Sequence, residues 1–64
     1  MELQVVEATS LQRDTRSTYT GTLAVGNTVY VDALETSLKV LKDLGDQTFK
    51  LASPNMVAIV KLLG

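Results

Sequence analysis

The chain has 64 residues, 45% of them apolar, and contains no histidine, cysteine or tryptophan. Without imidazole or thiol groups, the common zinc, haem and iron-sulfur ligand sets cannot form, and no side chain has an unperturbed pKa near neutrality. The net charge of −1 provides no overall basic excess of the kind that nucleic-acid-binding proteins usually carry.

The length predicts a single domain over residues 1–64 with a small core. Disulfides and zinc cannot supplement such a core, so we expect good packing or self-association to stabilise it. A chain without cysteine, beginning Met1-Glu2-Leu3-Gln4 rather than with a signal peptide, is expected in the cytoplasm. The longest apolar run, residues 56–60, is too short to cross a bilayer, and we expect no membrane contact.

Charge is unevenly distributed along the chain. Residues 1–38 carry a net charge of −3, and residues 39–64 carry a net charge of +2. All the lysines lie in the second segment, so binding to a polyanion would require the fold or an oligomer to gather them on one surface.

The first strand is expected over Leu3 to Ala8, where Val5 and Val6 favour β structure. Residues 9–17 are polar and are expected to form a connection. This connection contains both arginines of the chain, Arg13 and Arg16, which are suited to binding a phosphate or a partner's carboxylate.

Residues 18–33 contain the clearest β pattern, a hairpin around Gly26-Asn27. A three-residue loop, Val25-Gly26-Asn27, separates apolar from polar side chains better than a two-residue loop does. The side chains expected on the apolar face are Tyr19, Gly21, Leu23, Val29, Val31 and Ala33. Those expected on the polar face are Thr20, Thr22, Ala24, Thr28, Tyr30 and Asp32.

An amphipathic helix is predicted to follow, beginning at Asp32 as N-cap and ending at Gly45. Leu34, Leu38 and Leu41 have the three- and four-residue spacing of one helix face.

Two interpretations of the last third stay open. Ser53-Pro54 can cap a short helix, or Pro54-Asn55 can join two strands in a hairpin. Composition favours the hairpin, which places Phe49 and Leu51 beside Val60 and Ala58 on one face. The predicted fold is therefore an α+β domain of order β-β-β-α-β-β, with one amphipathic helix on a small twisted antiparallel sheet or partial barrel.

The run from Thr28 to Leu62 contains a strand, a leucine-rich segment ending in LKDLGD, and a hairpin. It is similar in element order to the swapped-hairpin transcription regulators and antitoxins, over about half of the chain. It lacks the Gly-x-h-x-Ile-Pro type of strand found in those proteins. With a helix at Ser53-Pro54, the segment resembles a ribbon-helix-helix dimer, although the strand Thr28 to Asp32 carries no cation.

The expected function is that of a non-catalytic, homo-oligomeric binding or assembly module that needs no cofactor or metal. Its expected partners are a second copy of the chain and another protein. The alternative is a small DNA-binding regulator or antitoxin.

The self-association surface is predicted to comprise Met56, Val57, Ile59 and Lys61, through pairing of the terminal strand across a two-fold axis. The cations expected to contact an anion or partner are Arg13, Arg16, Lys39, Lys42 and Lys50. No catalytic residue is predicted, because the hydroxyl groups have no histidine beside them and only a Ser-Lys pair such as Ser37 with Lys39 could replace it.

Overall fold

A computed structural model describes residues 1–9 and 14–63, and in these ranges the backbone forms six antiparallel strands. The strands pair in chain order, and the last pairs with the first, so that the sheet closes into a barrel. A three-residue 3₁₀ turn, Asp32–Leu34, lies between the third and fourth strands. The strands are β1 (Glu2–Ala8), β2 (Thr15–Thr20), β3 (Thr28–Val31), β4 (Thr36–Gly45), β5 (Thr48–Ser53) and β6 (Met56–Leu62).

The core fills the barrel interior. Successive side chains of a strand point to opposite faces, so every second residue enters the core. On β2, Ser17 and Tyr19 are buried, whereas Thr18 and Thr20 are exposed. A barrel of this size has room only for its own side chains. The core residues are Leu3, Val5, Ala8, Tyr19, Val29, Val31, Leu34, Leu38, Val40, Leu51, Ala58 and Val60.

Strands β1 and β6 form the closing pair. Leu3 lies opposite Leu62, and Val5 lies opposite Val60. A bulge then shifts the register between Val5 and Glu7. Because β6 pairs with β5 along its other side, it is hydrogen-bonded on both sides. The expectation that the terminal strand offers an unpaired edge to a second copy is therefore wrong.

The predicted α+β fold is also wrong, because residues 36–45 form β4 and not an amphipathic helix. Leu38 and Val40 are each 1% exposed, whereas Leu41 is 46% exposed. The two-residue alternation from Ser37 to Val40 therefore sets the buried face, and the helical leucine spacing does not. Pairing with β3 and β5 gives β4 backbone hydrogen bonds on both sides, and this tertiary context overrides helix propensity. In the described part of the chain, no helix has the length and apolarity needed to cross a membrane.

Asp32 begins a single 3₁₀ turn and does not cap a helix. Its backbone carbonyl accepts a hydrogen bond from the Glu35 backbone N–H at 3.1 Å, and Glu35 leaves the turn with a left-handed φ of 54°. The Asp32 carboxylate accepts a hydrogen bond from the Thr18 hydroxyl. The Ala33 N–H donates to the buried Ser17 hydroxyl oxygen at 2.9 Å. These bonds attach the turn to β2, which begins at Thr15 and so extends into the segment expected to be a polar connection.

Gly45 ends a strand and not a helix. Gly45 lies opposite Thr48, which leaves Asp46 and Gln47 as the two-residue connection between β4 and β5. Asp46 and Gln47 have φ values of 52° and 61°. Positive φ at both central residues is what a type I′ hairpin turn requires, and it matches the twist of the flanking strands.

The β2–β3 hairpin has the expected faces but a different register. Tyr19 pairs with Val31 and Thr20 with Tyr30, so the loop runs over residues 21–27 and the three-residue loop is wrong. The observed register differs from the expected one by two residues, and a two-residue shift leaves each side chain on its original face. The polar set is accordingly exposed throughout, and Tyr19, Val29 and Val31 are buried.

The β5–β6 hairpin is confirmed. Ser53 lies opposite Met56 across Pro54-Asn55, and Phe49 and Leu51 lie opposite Val60 and Ala58, respectively.

Candidate binding face

The outward side chains of β4, β5 and β6 form the candidate binding site, which we call the outer face. On β5, the buried Leu51 is flanked by Lys50 and Ala52, which point away from the core. Cross-strand pairing brings the outward residues of the three strands side by side. The outer face comprises Lys39, Lys42, Lys50, Ala52, Val57, Ile59 and Lys61.

Three lysines of the outer face follow one diagonal. Lys39 lies opposite Ala52, and Lys50 stands two residues from Ala52 on β5. Lys50 in turn lies opposite Ile59, and Lys61 stands two residues from Ile59 on β6. Diagonal neighbours of this kind have Cα atoms about 7–8 Å apart. Lys39, Lys50 and Lys61 therefore form a cationic belt that runs obliquely across three consecutive strands.

The fourth lysine, Lys42, lies directly opposite Lys50. A register shift between Val40 and Lys42 produces this pairing, with Leu41 as the extra residue. Like charges placed directly opposite one another destabilise a sheet. Among residues 1–9 and 14–63, no carboxylate forms an ion pair with any of the four lysines. The four lysines therefore carry positive charge that no ion pair within these ranges balances.

Tyr30 extends the cationic belt onto β3. It lies opposite Ser37, and Lys39 stands two residues further along β4, which gives the same diagonal spacing. Its side chain is 41% exposed on the outside of the barrel. The belt thus begins with an exposed aromatic ring.

A short apolar strip lies beside the cationic belt. Ala52 and Val57 are directly opposite each other, and Ile59 follows two residues after Val57. Val57 is 46% exposed, which is high for a β-branched apolar side chain. The bulge in β1 places Glu7 opposite Ile59, so that Lys50, Ile59 and Glu7 form one row across β5, β6 and β1.

The structure places only some of the residues predicted for self-association and anion binding on the outer face. Val57, Ile59 and Lys61 share the outer face, but Met56 packs against the core cluster. Arg16 lies on β2 opposite Gln4, which is itself opposite Lys61, so Arg16 is two strands away from the cationic belt. Arg13 lies outside the described residues.

A cleft of ≈ 470 Å³ borders the apolar strip where β1 meets β6. The Thr9 hydroxyl accepts a hydrogen bond from the Val57 N–H at 3.1 Å, and the Thr9 N–H donates to the Val57 carbonyl at 3.0 Å. The lining residues are Glu7, Ala8, Thr9, Val57, Ala58 and Ile59.

One serine and one aspartate near the hairpin turns make local hydrogen bonds. The Ser53 hydroxyl donates to the Asn55 side-chain oxygen at 3.1 Å within the β5–β6 turn. The Asp43 carboxylate accepts a hydrogen bond from the Gly45 N–H at 2.9 Å at the end of β4. In residues 1–9 and 14–63, no group of three or more His, Cys, Asp or Glu side chains could hold a metal ion.

Two parts of the site escaped sequence reasoning. Interpreting the segment from Asp32 to Gly45 as a helix separated Lys39 and Lys42 from the β5–β6 hairpin, although the alternation from Ser37 to Val40 is also compatible with a strand. The position of Glu7 beside Ile59 depends on barrel closure and on a bulge, and no local pattern indicates either.

Comparisons with protein-family models, with curated proteins and with solved structures found no match to this chain.

Proposed function

We propose that this chain is a non-catalytic binding and assembly module that self-associates through the outer face along β6. The observation that carries the proposal is the row of Lys50, Ile59 and Glu7, in which an apolar residue lies between opposite charges. An isologous contact requires a surface complementary to itself, and this row has that property.

The contact follows from a two-fold axis parallel to β6 and passing beside Ile59. Rotation about this axis places Ile59 and Val57 against the same residues of the partner subunit. It also places Lys50 near Glu7 of the partner subunit, so that apolar burial is combined with two equivalent ion pairs. Closure of the barrel excludes pairing through the edge of β6, and an outer-face contact does not need a free edge.

Self-association would supply stability that a 64-residue core provides only in limited amount. Folding and assembly are then linked by mass action, so the melting temperature rises with protein concentration. The proposal extends to a second macromolecule as partner and to the cytoplasm as location, since a chain without cysteine does not depend on an oxidising compartment.

A charge-swap series tests the contact. Lys50→Glu and Glu7→Lys are each expected to weaken assembly, because like charges then face each other across the axis. The double variant is expected to restore assembly, because the ion pairs re-form with reversed sign. Solution mass by light scattering across a range of concentrations gives the association constant for each variant.

Ile59→Thr removes the apolar centre of the contact and keeps a β-branched side chain, so we expect a monomer that is still folded. The matched control is Val25→Thr, which changes an exposed valine in the β2–β3 loop, away from the outer face. A monomeric parent at high micromolar concentration, with a melting temperature independent of concentration, would refute the proposal.

A further inference from the structure

We infer that the cationic belt, together with Tyr30, binds the backbone of single-stranded nucleic acid. This goes beyond the proposed self-association in the class of partner. The belt shares Lys50 with the row, and Lys61 lies on β6 beside the proposed two-fold axis, so a nucleic acid and a second copy would compete for this part of the outer face. The inference depends on the combination of diagonal spacing, curvature and an exposed aromatic ring on one surface.

The spacing suits a chain of phosphates. Tyr30, Lys39, Lys50 and Lys61 lie on four consecutive strands, each diagonal to the one before. Neighbouring residues on the diagonal have Cα atoms about 7–8 Å apart, and lysine side chains are flexible, so each lysine can contact one of a series of successive phosphates. Lys42 lies opposite Lys50 and adds a second cation at the middle of the belt.

Curvature favours a single strand over a duplex. The three lysines lie on β4, β5 and β6 of a closed six-stranded barrel, so they span about one third of its circumference. A DNA duplex is stiff over a length of about 150 base pairs and touches such a convex surface at few points. A single strand bends easily and can follow the belt around the barrel.

Tyr30 provides the stacking surface that sequence-independent binding of single strands uses. Tyr30 is exposed and lies one diagonal step from Lys39, so a base can stack on its ring while the neighbouring phosphate meets the ammonium group. The uneven distribution of charge also favours binding to phosphates. The net charge of the chain is −1, but all four of its lysines lie on the outer face. The belt is thus a local positive surface on a protein without an overall basic excess.

Fluorescence anisotropy with a labelled oligothymidylate of about 20 nucleotides tests the inference. We expect the logarithm of the association constant to fall linearly with the logarithm of salt concentration between about 50 and about 200 mM. The expected slope is about −2, because each of three phosphate contacts contributes about −0.7. Lys39→Gln and Lys61→Gln should each reduce the magnitude of this slope by about 0.7.

Arg16→Gln is the matched control, because it removes one positive charge from outside the belt. It should leave the slope nearly unchanged. Tyr30→Leu should weaken binding by about tenfold, whereas Tyr30→Phe keeps the stacking ring and should bind as the parent does.

Separate measurements distinguish failure of the assembly proposal from failure of this inference. Ile59→Thr breaks the self-association contact but leaves the belt intact, so it should still bind the oligonucleotide. Lack of binding at about 50 mM salt would overturn the inference. Tighter binding to a duplex of the same length, equal losses from Arg16→Gln and Lys39→Gln, or stronger belt-dependent binding to phosphatidylserine vesicles would also overturn it.

Discussion

Replacing Leu38 with alanine tests whether residues 36–45 form a strand of the barrel. Leu38 is 1% exposed and lies opposite the buried Val29, so the substitution removes buried methyl groups and leaves a cavity. Such a change costs about 2–5 kcal/mol, and we take about 3 kcal/mol for this site. Leu41→Ala is the matched control in the same strand. Leu41 is 46% exposed, and its truncation should change stability by less than about 0.5 kcal/mol.

Urea unfolding monitored by circular dichroism measures both effects. The free energy of unfolding of a small protein falls by about 1 kcal/mol per M urea. The urea midpoint of the Leu38 variant should therefore be lower than that of the parent by about 3 M, whereas the midpoint of the Leu41 variant should change by less than about 0.5 M. If the Leu38→Ala chain is unfolded without urea, Leu38→Val provides a milder version at about 1 kcal/mol. Equal losses from Leu38→Ala and Leu41→Ala would contradict the strand, because a helix face would bury both leucines.

Two further comparisons test the barrel. Val31→Asp should unfold the chain because Val31 is fully buried, whereas Thr22→Asp should be mild because Thr22 is exposed, and circular dichroism would distinguish them. Gly26→Ala should cost about 1–2 kcal/mol through its φ of +95° alone. Gly21→Ala should cost at least about 1 kcal/mol more, because the added Cβ would lie 3.0 Å from a β3 carbonyl oxygen; comparable melting temperatures for the two alanine variants would argue against this close approach.

The parts of the fold that sequence predicted correctly are those with local chemical causes. The β5–β6 hairpin followed from turn residues Pro54 and Asn55 between β-branched segments. The faces of β2 and β3 followed from alternation, which survives a two-residue error in register.

The fourth strand was not predictable in the same way. Leu34, Leu38 and Leu41 satisfy a helical spacing, while Leu38 and Val40 satisfy a strand spacing, so the same residues support both structures. Partners β3 and β5 decide between them, and their positions are not encoded locally. The candidate site also has a predictable part and an unpredictable part. The hairpin pattern predicted that Val57 and Ile59 point outward, but Glu7 lies opposite Ile59 only because the barrel closes.

Closure also determines the order in which this molecule can fold. Five of the six strand pairings join neighbours along the chain, whereas the β1–β6 pairing joins residues as far apart as Leu3 and Leu62. Local hairpins form in about 1–10 μs, but distant segments must first lose the entropy of the long intervening loop. We therefore expect closure to be the slow step of folding.

Until closure, the open sheet exposes the edges of both β1 and β6. Unpaired strand edges readily join other chains, and partly folded species with such edges aggregate. The speed of a single pairing thus sets how long each newly made molecule is exposed to aggregation.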